Sequence, residues 1–190
     1  MNIPTTSIYI ETGTYMGRGV AQVLNQYKQI HTIELAEKWF KHNKEKWSQH
    51  PHVHVHHGDS KKLLPALLES IDEPVTIFLD AHYSGGTTAF GEEETPLLEE
   101  LDLLKSRKHD DVILIDDCRL LGQFGQAGNG GEVYPFFESD WRGVTLETIK
   151  SRMKEGYRLD WNGAEKHDPN KILKDYQYDV LILHKPKNNE

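Results

Sequence analysis

The chain predicts a doubly wound α/β domain whose mostly parallel, seven-stranded sheet closes in a C-terminal antiparallel hairpin. Strand-like and helix-like stretches alternate almost from end to end, which implies a parallel sheet with helices on both faces. The runs Val75–Leu79 and Val112–Ile115 are apolar throughout, as strands buried on both faces are. The last two strand-like runs follow a helix and can pair with each other as a hairpin.

Residues 8–11 read as the first strand, and Gly19–Tyr27 as a short helix with Val20, Val23 and Leu24 on one face. His31–Leu35 is the second strand, followed by the helix Ala36–Trp47, which carries Trp39, Phe40 and Trp47. His52–His57 is the third strand. Ser60 is expected to cap a helix over Lys61–Ile71, with Pro65 tolerated near its first turn. After strand four, Val75–Leu79, comes a Gly-rich loop, and Thr95-Pro96 supply an N-cap and first-turn proline for the helix Leu97–Lys105. Val112–Ile115 is strand five. The Gly-bearing stretch 118–143 is too long for a mere connector and is expected to form a lid or flap. The helix Thr145–Lys154 ends at Gly156, and Tyr157–Trp161 and Asp179–His184 form the hairpin. Residues 1–185 make one domain, followed by a polar tail, 186–190.

With 190 residues there is room for one substantial core and little for a second. No apolar stretch approaches the ~20 residues of a membrane span, and no cationic-then-apolar leader opens the chain. A formal charge of −8 argues against nucleic acid as the main partner. The single cysteine, Cys118, has no internal partner for a disulfide, so a reducing, cytoplasmic setting is expected. A homodimer is compatible with all of this.

In an open parallel sheet, ligands bind beyond the carboxyl ends of the strands, where strand order reverses. Strand one delivers Glu11-Thr12-Gly13-Thr14-Tyr15-Met16-Gly17, and strand two ends at Glu34, 21 positions after Gly13. Glycines that let the backbone turn tightly, and an acid roughly 20 residues later, are how such a βαβ unit holds an adenosine-containing cofactor. Glu34 is the candidate for the ribose hydroxyls. Asp59 and Ser60, after strand three, either meet an adenine edge or only cap the following helix.

Strands four and five end in Asp80-Ala81-His82 and Asp116-Asp117, so all five parallel strands deliver an acid at the tip. Asp80, Asp116 and Asp117 are expected to converge, and carboxylates that close repel unless a cation joins them. An oxygen-rich site of this kind suits Mg²⁺ or a similar divalent ion. His82 is a candidate fourth ligand or general base, and Asp80 a second catalytic candidate. His52, His54 and His56 share one face of strand three, but ligands spaced along a line make a poor zinc site, and protection of an edge strand explains them better. Glu92-Glu93-Glu94 reads as a solvated run before a helix N-terminus.

The segments ETGTYMGRG (Glu11–Gly19), HTIEL (His31–Leu35), HHGDSKKLLP (His56–Pro65), IFLDAH (Ile77–His82) and ILIDDC (Ile113–Cys118) resemble those of class I S-adenosylmethionine-dependent methyltransferases. Within that superfamily the chain looks most like the small metal-dependent O-methyltransferases of the catechol type. The resemblance implies a Rossmann-like fold in which Glu11, Gly13, Tyr15 and Gly17 form the turn under the methionine part of the cofactor. It implies that Glu34, followed by Leu35, takes the ribose, Asp59 or Ser60 the adenine, and Asp80, Asp116 and Asp117 the metal. The expected reaction is methyl transfer to a hydroxyl of a small molecule.

Two departures stand out. The catechol enzymes carry a lysine shortly after the strand-four aspartate, whereas here the sequence runs Asp80-Ala81-His82-Tyr83-Ser84. N-terminal helices over the substrate are not expected, so cover falls to the loop 81–94 and the stretch 118–143, with Phe124, Tyr134, Phe136, Phe137 and Trp141. The alternatives are an NAD-dependent oxidoreductase, which Gly13-x-x-x-Gly17 fits poorly, and a non-catalytic cofactor-binding regulator.

Overall fold

A computed structural model describes residues 4–128, 130–131, 135–161 and 180–186. In chain order the strands are β1 (Ile8–Thr12), β2 (Gln29–Glu34), β3 (Val53–His57), β4 (Val75–Leu79), β5 (Val112–Ile115), β6 (Phe124–Ala127), β7 (Phe137–Asp140), β8 (Arg158–Trp161) and β9 (Leu181–His184). All but β6 and β7 join one sheet of order β3-β2-β1-β4-β5-β9-β8. Its first five strands run parallel; β9 pairs antiparallel with β5, and β8 antiparallel with β9. The expected seven-stranded architecture with its hairpin is therefore present; Asp179 and Tyr134 lie outside the described residues. Strand order reverses between β1 and β4, and that places the crevice.

The alternation of the sequence becomes two helical layers. On one face α3 (Ser60–Glu69), α4 (Leu97–Ser106) and α5 (Leu146–Ser151) cover Ile10, Ile77, Ile115, Leu181 and Leu183, all fully buried or nearly so. On the other, α1 (Arg18–Val23) and α2 (Glu37–Lys46) enclose Tyr9, Val20, Ile30 and Trp47. Each such aliphatic side chain contributes roughly 1.5–3 kcal/mol on burial.

Several ends differ from the sequence expectation, each for a local reason. Helix α1 stops at Val23 rather than Tyr27, because the Gln26 N–H donates to the Val23 carbonyl (2.8 Å) and its side-chain amide to that of Gln22 (2.8 Å). Asp59, not Ser60, caps α3: its Oδ1 accepts the Lys61 N–H at 2.9 Å. Pro65 lies inside α3 rather than in its first turn, so one backbone hydrogen bond is given up there. Pro96 itself occupies the cap position of α4. The stretch 118–143 carries a short 3₁₀ turn (Cys118–Leu120) and then a separate two-stranded antiparallel sheet of β6 with β7. The expected flap is a hairpin.

Candidate active site

The carboxyl ends of β1 to β5 open on a cleft of about 1380 Å³. Ligand pockets commonly span ~300–1,000 Å³, so the space exceeds what one small ligand fills. Gly13, Tyr15, Glu34, Leu35, Asp59 and Ser60 line one half; Asp80, His82, Asp116 and Asp117 line the other.

The first half is built on close backbone approach. Gly13 has φ 84°, and a Cβ there would lie 2.3 Å from the Asp80 carbonyl oxygen, so the tips of β1 and β4 meet only because the residue is glycine. Tyr15 is also left-handed (φ 46°), and its N–H donates to Glu34 Oε2 at 2.7 Å. The Ala36 N–H donates to Glu34 Oε1, also at 2.7 Å. Glu34 is thus fixed at the cleft by two backbone donors. Burial raises its pKa, and these hydrogen bonds oppose the rise.

Helix α2 supports this turn through residues that the sequence patterning passes over. Buried Asn43 donates from Nδ2 to the carbonyls of Tyr15 (2.5 Å) and Trp39 (2.9 Å) and accepts from Trp47 Nε1 (3.2 Å). Lys46 Nζ donates to the Met16 carbonyl at 2.8 Å. The available signal is Asn43 itself, a polar residue four positions from both Trp39 and Trp47 on the apolar stripe.

Glu11 and Gly17 do not line the cleft. Gly17 (φ 69°) faces Asn43 and Trp47, and Glu11 is buried beneath the turn, accepting from Thr32 Oγ1 at 2.7 Å. Gly19 covers it so closely that a Cβ would lie 1.8 Å from Glu11 Oε1. Burial pushes the Glu11 carboxyl from 4.5 up to about 8, against the lowering effect of the Thr32 hydrogen bond. The folded protein therefore holds a proton that the unfolded chain releases near 4.5, so this contribution is complete below that value and is lost as pH rises through about 8. Glu11→Gln is expected to flatten the fall in melting temperature between roughly pH 5 and 9. Parallel wild-type and variant curves would refute that assignment. Ser60 is buried at the edge of the cleft, close to the buried Glu100 carboxyl, while Asp59 faces the cleft as the α3 cap.

In the second half, Asp80, His82 and Asp117 each present a ligand atom within 4.8 Å of the others, the one such group among the described residues. Asp116 lines the cleft but stands outside that group, so His82 takes the place expected for it. Asp117 adopts a left-handed backbone (φ 55°) at the start of the 3₁₀ turn, where its carboxylate meets both His82 and Arg119. His82 Nε2 lies 2.7 Å from Asp117 Oδ2, and Nδ1 3.5 Å from Asp80 Oδ1. Arg119 pairs with the other oxygen of Asp117.

Burial opposes charge on His82, but the Asp117 and Asp80 carboxylates raise its pKa well above the ordinary value. For Asp117 burial is outweighed by His82 and Arg119, which bring it down to about 2. Asp80 is raised by burial, with His82 acting against the rise. The cluster thus sets an imidazole between two carboxyl groups that favour its cationic form.

Cover comes from the two expected segments. Trp39 Nε1 donates to Thr87 Oγ1 (3.1 Å), pinning the loop after β4 to helix α2. Phe124 and Phe137 of the hairpin line the cleft as well.

No protein-family model matches the chain, and no curated protein does. Solved structures share its architecture. A Streptococcus mutans protein classed as a methyltransferase, in complex with SAH, has 13% identity and a TM-score of 0.55, over 96% of this chain and 90% of that one. An rRNA methylase from Streptococcus thermophilus has 12% identity and a TM-score of 0.55, over 98% and 90%. A Staphylococcus aureus protein classed as a caffeoyl-CoA O-methyltransferase has 13% identity and a TM-score of 0.56, over 94% and 76%. The chain has the fold of the class I S-adenosylmethionine-dependent methyltransferases. No helix among the described residues is long and apolar enough to cross a membrane.

Proposed function

We propose that the protein is an S-adenosylmethionine-dependent methyltransferase acting on a hydroxyl of a small molecule. The observation that carries this is the shared cleft: Glu34, fixed by two backbone N–H groups, and the Asp80–His82–Asp117 cluster face one space. When bound, the donor supplies a sulfonium methyl group; the acceptor oxygen forms the new C–O bond as the S–CH₃ bond breaks, its electron pair leaving on sulfur as S-adenosylhomocysteine.

The residues do the rest. Glu34 accepts from the ribose hydroxyls, and the Gly13–Gly17 turn sets the donor's position. Asp80, partly exposed and with its carboxyl raised, receives the acceptor hydroxyl's proton. His82, whose cationic form its two carboxyl neighbours favour, supports that charge change instead of acting as the base. This accounts for the missing lysine. The formal charge of −8 and the aromatic hairpin wall favour a small acceptor over an RNA.

A divalent ion fits the same donor set if it exchanges for the His82 proton: Asp80, His82 and Asp117 would hold it, and its charge would acidify an acceptor hydroxyl. A set that includes an imidazole nitrogen suits Mn²⁺ or Zn²⁺ better than Mg²⁺. Calorimetric titration with Mn²⁺ is expected to release a proton and to tighten as pH rises. Binding without proton release would exclude that exchange.

The donor assignment is tested by titration with S-adenosylhomocysteine. Glu34→Gln is expected to weaken it about ten- to a hundredfold, the loss of hydrogen bonds to a charged group. No binding at millimolar ligand, or binding of NAD⁺ in its place, would sink the proposal.

A further inference from the structure

The run Glu92–Glu94 divides: Glu92 stays exposed as expected, whereas Glu94 is drawn inward. Glu92 pairs with Lys62 at 2.8 Å and Glu93 with Lys61, both on the first turn of α3 beside the cofactor half of the cleft. Glu94 turns the other way. Its carboxylate accepts from Ser139 Oγ at 2.5 Å, from the Asp140 N–H at 2.8 Å and from Trp141 Nε1 at 3.0 Å. Its carbonyl accepts the Tyr83 N–H at 2.8 Å, closing the loop that begins just after His82.

Trp141 is 2% exposed and lies edge-on to His82, ring centroids 5.6 Å apart. Its carbonyl accepts the Gly122 N–H at 3.2 Å, at the root of the hairpin. One carboxylate therefore gathers three donors from the end of β7 and sets the ring that walls His82. Charge-assisted hydrogen bonds of this kind hold geometry more firmly than neutral ones.

We infer that Glu94 is a positioning residue: it fastens the β6–β7 hairpin and Trp141 against His82, and so shapes the acceptor half of the cleft without touching the donor half. This rests on the proposed division of the cleft into donor and acceptor halves.

The test compares wild type with Glu94→Ala, Glu94→Gln and Trp141→Phe. Three readouts are hydrogen exchange over 124–127 and 137–141, the ring-proton NMR shifts of His82, and S-adenosylhomocysteine affinity. Glu94→Ala is expected to speed exchange in β7 by roughly tenfold or more, as for a segment released from a buried anchor. It is also expected to move the His82 ring signals as the Trp141 ring current shifts, while leaving S-adenosylhomocysteine affinity within about twofold, since no donor-half contact is altered. Glu94→Gln, which keeps two acceptor contacts but turns an amide toward the third donor, is expected to fall between. Trp141→Phe keeps the packing, loses one donor, and remains informative if the alanine variant does not fold.

Unchanged exchange in β7, or unchanged His82 signals, would overturn the inference. So would a loss of protection spread equally over β1 to β5, which marks a general stability role. Failure of the wild type to bind S-adenosylhomocysteine would instead strike the donor assignment, leaving the exchange and NMR results to judge Glu94 on their own.

Discussion

Gly13→Ala is expected to abolish measurable S-adenosylhomocysteine binding and to lower stability by at least ~3 kcal/mol. Two costs add at this position. The left-handed backbone (φ 84°) penalises any residue with a Cβ, by roughly 1–2 kcal/mol. The Cβ would also sit 2.3 Å from the Asp80 carbonyl oxygen and 2.8 Å from its carbon, and both atoms are backbone. No rotamer change relieves that contact, so the tips of β1 and β4 must part, carrying Asp80 away from His82 and the turn away from Glu34. Gly156→Ala separates the two costs, because Gly156 has nearly the same φ (79°) with nothing within 4 Å of a built Cβ. It is expected to cost only about 1 kcal/mol and leave binding intact. Thermal unfolding and calorimetry on both variants decide the matter: equal losses would show that the close approach of β1 and β4 is unimportant.

Gly13 also illustrates why much of the fold and part of the site are legible in the amino-acid sequence. Gly13, Glu34 and the apolar runs of β4 and β5 act through sequence-local properties: backbone freedom, a strand-end charge, burial on both faces. Their consequences survive any detail of packing. The acid-tipped strands are legible for the same reason, and so is the hairpin that ends the sheet.

The features that escape such a reading depend on contacts across the chain. Nothing local to Asp116-Asp117 says that the second joins His82 and Asp80 while the first stays outside the cluster. The opposing fates of Glu93 and Glu94 depend on Lys61 and Trp141, 32 and 47 positions away respectively. Glu11 resembles a member of the cofactor turn because it adjoins the glycines, but alternation along β1 directs it beneath them, against Gly19. Asn43 is hidden by a helix whose pattern is otherwise ordinary.

At the amino ends of the strands, opposite the cleft, Arg107→Ala is expected to cost about 3–5 kcal/mol while leaving S-adenosylhomocysteine affinity unchanged. Arg107 Nε donates to Asp111 Oδ2 at 2.9 Å, and both side chains are nearly inaccessible, at 8% and 1%. The other Asp111 oxygen accepts the Val75 N–H at 3.0 Å, at the start of β4. The guanidinium also donates to the carbonyls of Leu68 (2.6 Å) and Glu73 (3.0 Å), joining the end of α3 to the strand that follows it. Removing the arginine leaves a carboxylate buried without its cation and frees carbonyls at the end of a helix, where positive charge is favoured. Arg107→Lys is expected to recover little, because an ammonium has no planar fork to reach Asp111 and two carbonyls at once. Replacing both Arg107 and Asp111 with leucine is expected to cost less than the sum of the single changes, since neither charge is then stranded. Urea unfolding gives the comparison directly, as a lower midpoint at unchanged slope. A loss of S-adenosylhomocysteine affinity in folded Arg107→Ala would mean that this end of the strands governs the geometry of the cleft across the full length of β4, and the separation of stability from binding would fail.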